Sequence, residues 1–187
     1  LLPMLDEIVK MTELDLKTID AIAVAKGPGS FTGLRIGSAT AKGLGLALDK
    51  PLVGIPTVEA LAYNLYDVNG LICPIMDARR KQVYTGIYRY EDHRLMTVKD
   101  QMAVGIEELL SMLNEMGEAV TFLGDGVPVF KDIIADKLTV PFSFAPAHLS
   151  RQRAGAVGAL GVLYYKEGRT ETAAEHKPDY LRVSQAE

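Results

Sequence analysis

Residues 26–37 read Lys-Gly-Pro-Gly-Ser-Phe-Thr-Gly-Leu-Arg-Ile-Gly, between an apolar run at 19–25 and a long stretch of small and apolar residues at 32–48. The order predicted is a buried strand, a glycine-rich turn and a helix, and few folds accept that sequence of elements. Free backbone N–H groups and the positive end of a helix dipole meet in such a turn, so it is a frame for anions. The residues that usually complete that chemistry are not here. A Walker A loop closes on Gly-Lys-Ser/Thr, whereas this one closes on Thr32, Gly33 and Leu34. Gly27, Gly29 and Gly33 miss the spacing of the dinucleotide fingerprint by one residue, and Asp49, beside Pro51, is poorly placed for a ribose. A tight turn with close helix packing is the simpler reading, with Ser30 as the cap of the following helix.

That helix carries Gly33, Gly37, Ala41 and Gly45 at four-residue spacing, along one side. A helical glycine costs about 0.8–1.0 kcal/mol relative to alanine, so the stripe needs a compensating close contact. Burial within the chain and burial against a partner are equally compatible with the pattern.

The chain, 187 residues with 20 basic and 24 acidic side chains, has a formal charge of −4. This balance argues against a dedicated nucleic-acid binder, which would show a basic excess. No apolar run approaches the roughly 18 residues of a membrane-spanning helix, and the expected setting is cytoplasmic. The single cysteine, Cys73, lies in an apolar strand-like run and reads as a buried thiol. His93, His148 and His176 are isolated, so no metal site is expected. Gly29 to Gly33 spaces Ser30 one residue wrongly for a nucleophile elbow.

Along the chain the patterns predict helix 1–12, strand 19–25, helix 32–48, a short strand at 52–55 and helix 57–66. A hairpin at 71–77 and 82–90 follows, then strand 94–98, helix 106–116, strand 120–123, helix 128–137, strand 142–144 and helix 151–166 capped by Ser150. On helix 1–12, Leu1, Leu5, Ile8 and Val9 share a face. A boundary at 68–70 divides an amino-terminal lobe, 1–69, from a second lobe, 70–187, whose helix at 150–167 is expected to return to the first. The class is α/β. Asp77, Arg79, Arg80 and Lys81 crowd the hairpin tip, and Asp125 sits between Gly124 and Gly126. The hairpin tip reads first as a solvated surface and alternatively as a contact for a phosphate or a partner through bidentate arginine, while Asp125 reads first as a turn residue and alternatively as part of a weak phosphate-binding loop.

Residues 26–37 resemble the signature of the bacterial TsaB (YeaZ) family. Further agreements follow in order: Gly54-Ile55-Pro56-Thr57-Val58-Glu59-Ala60-Leu61, Pro74-Ile75-Met76-Asp77-Ala78-Arg79-Arg80-Lys81-Gln82-Val83-Tyr84, Gly124-Asp125-Gly126, and Pro178-Asp179-Tyr180-Leu181-Arg182. The resemblance implies an actin-like, ribonuclease-H-like fold of two lobes. It also implies opening strands that precede residue 1 in the family and are absent here. Functionally it implies a non-catalytic, cofactor-free scaffold of TsaD in forming N6-threonylcarbamoyladenosine at position 37 of tRNAs reading codons that begin with A. TsaE, an ATPase, would join, tRNA would be met only through the complex, and the chain alone would form a homodimer.

The family's interface is a face of the first two helices, here Leu1, Leu5, Ile8, Val9, Thr32, Gly33, Leu34, Ile36, Gly37, Thr40, Ala41 and Leu44. Ser30, Asp77, Arg79, Arg80, Lys81 and Asp125 are the candidates for phosphate or partner contact. The alternatives are an ATP-dependent enzyme or peptidase of the same fold and a purely structural homodimer.

Overall fold

The structure, a computed structural model, describes residues 1–181. Its elements in order are α1 (Leu2–Thr12), a 3-10 turn (Leu16–Thr18), β1 (Ile22–Gly27), α2 (Phe31–Leu48), β2 (Leu52–Pro56), α3 (Thr57–Ala62), β3 (Leu71–Asp77), β4 (Gln82–Glu91) and β5 (Arg94–Gly105). These are followed by α4 (Ile106–Met116), β6 (Val120–Leu123), α5 (Val127–Lys137), β7 (Phe142–Phe144) and α6 (Ala154–Lys166). They form two compact units: Leu1–Pro56 with Val157–Tyr180, and Thr57–Ala156.

In the first unit β1 and β2 pair in parallel, with α2 as their crossover. Ala41 of α2 packs with Leu52 and Ala173, and Ile22 and Val24 of β1 adjoin that cluster. Gly161 of α6 approaches Ala23 of β1 so closely that a Cβ would collide with it. A close helix-to-strand approach of this kind needs a glycine.

The second unit is built on a five-stranded sheet of order β5-β4-β3-β6-β7. β3 is its centre, antiparallel to β4 and parallel to β6, and both its faces are buried, Leu71, Cys73 and Ile75 in one apolar cluster and Ile72 in another. This explains its continuous Leu-Ile-Cys-Pro-Ile run in place of an alternating pattern. Pro74, with no N–H to give, lies between the Ile72–Tyr88 and Ile75–Thr85 pairs of the β3–β4 ladder. One face of the sheet packs Leu71, Cys73 and Ile75 against Ile106, Leu109, Leu110 and Leu113 of α4 and Phe130 and Ile134 of α5. A second cluster sets Val58, Leu61 and Ala62 of α3 with Ile72, Tyr88 and Leu123.

Several elements depart from the sequence patterns. α3 ends at Ala62, and turns follow it, with Asp67 left-handed at φ 57. Its apolar face belongs to the second cluster, so α3 falls in the second unit and the division lies at Pro56/Thr57 instead of 68–70. β5 runs to Gly105 because its ladder with β4 resumes at Met102 after an irregularity at Asp100 and Gln101, and this polar stretch hides the strand from periodicity. α6 starts at Ala154, and Ser150 is not its cap. The Ser150 hydroxyl and carbonyl both accept from the Gly124 N–H, at 3.2 and 3.1 Å, after β6.

Candidate functional site

The glycine-rich loop is shaped by its own chain. Ser30 caps α2, its hydroxyl accepting from the Gly33 N–H at 3.4 Å. Gly27 sits at φ +124, and the Asp179 carbonyl occupies the place where a Cβ would stand. The Asp179 N–H donates to the Lys26 carbonyl at 2.6 Å, and its carboxylate meets the Lys26 ammonium at 3.1 Å. Tyr180 packs on Phe31 with ring centroids 5.3 Å apart, and the Arg35 guanidinium lies 4.0 Å from the Phe31 ring centre. The closing motif thus lands on the glycine motif, two signatures about 150 residues apart in sequence. Arg182 of the closing motif lies outside the described residues.

The segment that brings it there contains no helix or named strand. Glu171 exchanges two backbone hydrogen bonds with Leu52, extending the β2 edge by one residue. His176 is buried, its Nδ1 lies 2.8 Å from the Glu171 carboxylate, and its carbonyl accepts from the Lys42 ammonium of α2 at 3.2 Å. Gly27 and Lys26 of the loop are therefore engaged in packing and pairing this strap. That is the tight-turn reading of the sequence, with the packing partner now identified.

The stripe on α2 divides along its length. Ala41, 6% exposed, and Gly45 face inward, and a Cβ on Gly45 would stand 2.5 Å from Leu52. Ala41 consequently seats the helix on its own sheet. Gly37 has open space where a Cβ would stand, and Gly33 would meet only its own cap, Ser30. Leu34 covers Gly29, while Thr40 and Leu44 are half-buried.

The outward line is a different one. Thr32, Ile36, Ala39, Gly43 and Leu46 are all exposed, Leu46 at 73%, and they recur at alternating spacings of four and three. That is the spacing of a helix–helix seam. Neither this line nor its flanking Gly33, Thr40 and Ala47 carries a charge. Ala39, Gly43 and Leu46 were legible through that spacing, but the inward stripe has equally small residues and draws attention first.

α1 has the same property more strongly, since none of its residues is buried. Leu5 and Val9 are half-buried, whereas Leu1, Met4, Ile8 and Met11 form a line at three-four-three spacing, each more than half exposed. Met4 and Met11 belong to this seam and were not picked out by the sequence pattern.

In the second unit, Asp77 and Asp125 come together at the carboxyl ends of β3 and β6. The Asp77 N–H donates to the Asp125 carboxylate at 3.3 Å, and the Asp77 carboxylate accepts from the Arg79 N–H at 2.9 Å and meets its guanidinium at 3.3 Å. Gly124, at φ +111, and Gly126 allow the backbone to pass against the Ile75 carbonyl. Arg79, Arg80 and Lys81 are exposed and consecutively left-handed, with φ of 64, 54 and 57. Left-handed residues cost roughly 1–2 kcal/mol each, so the hairpin tip is a constrained display of three cations.

The remaining reactive side chains have structural settings. Cys73 is buried beside Thr85, and burial pushes its thiol up to about 12. His93 pairs with Asp67 at 2.8 Å on the surface, and His148 is exposed. Among the described residues no three His, Cys, Asp or Glu side chains are grouped to hold a metal ion. No helix among them is long and apolar enough to cross a membrane.

Comparison with known proteins gives a consistent picture. The family model for TsaD, tRNA N6-adenosine threonylcarbamoyltransferase, matches residues 1–187. The tRNA threonylcarbamoyladenosine biosynthesis protein TsaB of Bacillus subtilis is 37% identical over 186 residues, covering 100% of this chain and 80% of that one. TsaB of Escherichia coli is 29% identical over 186 residues, with 97% and 79% covered. YeaZ from Pseudomonas aeruginosa superimposes with a TM-score of 0.79 over 96% of this chain and 82% of that one, at 22% identity. The mixed α/β architecture is the fold of those structures, as the actin-like resemblance led one to expect.

Proposed function

This chain belongs to the TsaB family, and from that premise we propose that it acts in tRNA threonylcarbamoyladenosine formation as a non-catalytic subunit docked to the transferase. The observation that carries the docking is the uncharged outward seam of α2, Thr32, Ile36, Ala39, Gly43 and Leu46, whose glycine has open space beside it. α1 adds Leu1, Met4, Ile8 and Met11. Two exposed seams at coiled-coil spacing suit a partner that offers helices of its own, packed at a shallow crossing angle. Stable interfaces bury about 1,200–2,000 Å² in total, and the docked complex should fall in that range.

The non-catalytic reading is supported by the engagement of each candidate reactive group. Ser30 caps a helix, Cys73 is buried, and Lys26 and Gly27 hold the carboxy-terminal strap. The transferase, of the TsaD kind, would do the chemistry, and an ATPase of the TsaE kind would join the assembly. In isolation the same seams would pair two copies of this chain, so homodimer and complex would exclude one another. Arg79, Arg80 and Lys81, with Asp77 and Asp125 behind them, are the second unit's contribution to tRNA or a partner, effective once the complex is formed. The setting is cytoplasmic.

The test is reconstitution. Modification of tRNA by purified transferase and ATPase should depend on this chain, which should modify none alone and should elute as one complex with the transferase. The Gly43→Leu variant, folded as judged by its melting curve, should fail both to co-elute and to support modification. Full activity with that variant would remove the seam from the mechanism. Steady ATP turnover or peptide cleavage by the chain alone would make it an enzyme.

A further inference from the structure

We propose that Arg35 is the residue that selects the partner along α2, by taking a carboxylate on the helix packed into the seam. The proposal rests on the docking reading above and names the chemistry of the surface that fits. If Ile36 and Gly43 occupy one seam position and Ala39 and Leu46 the other, Arg35 and Lys42 fall at the equivalent flanking position one turn pair apart. The opposite flank, Gly33, Thr40 and Ala47, is uncharged, so the seam has one basic edge and one neutral edge.

The two cations differ in what they already hold. Lys42 donates to the His176 carbonyl in the strap. Arg35 is exposed, forms no ion pair among the described residues, and stacks over Phe31, whose ring is itself packed by Tyr180. The strap thereby fixes a guanidinium at the rim of an uncharged seam, which lowers the entropy lost on meeting a planar, bidentate acceptor. A carboxylate on a partner helix fits better than an RNA phosphate. The seam beside Arg35 is neutral and small, as helix packing needs, and Lys26 and Lys42 are already held, by the Asp179 carboxylate and the His176 carbonyl, which leaves no run of free cations for a nucleic-acid backbone.

The experiment titrates the full-length chain against the transferase by calorimetry from about 0.05 M to about 0.3 M salt, where screening separates charge from packing. Arg35→Glu should weaken binding about tenfold at the low end and flatten the salt dependence, as a rim charge does. Reversing acidic residues of the transferase's packing helix to lysine, one at a time, should restore affinity to Arg35→Glu at one position. Tyr180→Leu, which keeps the charge and removes the ring packing, should give an intermediate loss.

Unchanged affinity for Arg35→Glu, with Gly43→Leu still abolishing binding, overturns the role of Arg35 and leaves the docking face standing. Unchanged affinity for both variants overturns the face and this proposal with it. Loss of tRNA retention by the complex, with unaltered protein–protein affinity, would assign Arg35 to a phosphate and overturn the carboxylate.

Discussion

α1 and α4 are both eleven-residue helices with an apolar face, and they use that face in opposite ways. α4 begins where β5 ends and lays Ile106, Leu109, Leu110 and Leu113 onto the sheet of its own unit. α1, with Leu1, Met4, Ile8 and Met11 in an exposed line, only half-buries Leu5 and Val9 and has no fully buried residue. Amphipathicity in a sequence therefore reports that a helix has something to cover and is silent about what covers it. α2 repeats the lesson within one element, its inward residues seating it on β1 and β2 while its outward line stays bare.

The contrast is best broken by truncating equivalent positions. Leu110→Ala in α4 should cost about 2–5 kcal/mol, because a fully buried leucine leaves a cavity. Ile8→Ala in α1 should move stability by no more than about 0.5 kcal/mol and should weaken transferase binding instead. Denaturant unfolding alongside a binding titration checks both. An equal loss of stability at both sites would mean that α1 is seated within its own unit.

Two glycines of α2 sharpen the comparison further. Gly45→Ala pushes a methyl against Leu52 and the Lys50 carbonyl and should destabilise by about 1–3 kcal/mol. Gly43→Ala meets open space and should stabilise the free chain by roughly 0.5–1 kcal/mol through helix propensity. Opposite shifts in melting temperature from the same substitution two residues apart are the expected result. Shifts of the same sign would show that the helix is rotated on its sheet.

A pH titration separates a buried thiol from a surface one. Cys73 has its pKa raised by burial from 9.0 to about 12, so the native state disfavours the thiolate. Its contribution to stability is complete below about pH 9 and is lost as pH rises from there towards 12. The unfolding midpoint should fall across that window in the wild type and less in Cys73→Ala, and a thiol reagent at pH 8 should react only on unfolding.

Much of the fold was legible residue by residue. Ser30 ahead of a small-residue run marked the start of α2, the charged tip at Asp77 to Lys81 marked the β3–β4 hairpin, and the spacing of Ile106, Leu109, Leu110 and Leu113 marked α4. These signals are local, because capping, turns and helical periodicity act between residues a few positions apart. The strap had no such signal. Residues 170–181 contain no periodicity, and their contacts with Leu52, Lys42, Lys26 and Phe31 reach back over more than a hundred residues. The candidate interface was half legible. Helices α1 and α2 stood out, but Ala41 was chosen with them and Met4, Met11, Ala39, Gly43 and Leu46 were passed over, since small residues line both sides of α2.

By itself, the sequence determined the family, the order of helices and strands, the Ser30 cap of α2 and the absence of any charge from the outward line of α2. Tertiary structure alone decided that α3 belongs to the second unit, that Gly27 makes room for Asp179, and which side of α2 faces its sheet. The reason is physical. A helix with two lines of small residues has two sides that can lie close to another backbone, and the choice between them falls to the β1–β2 pair and the strap that crosses its edge.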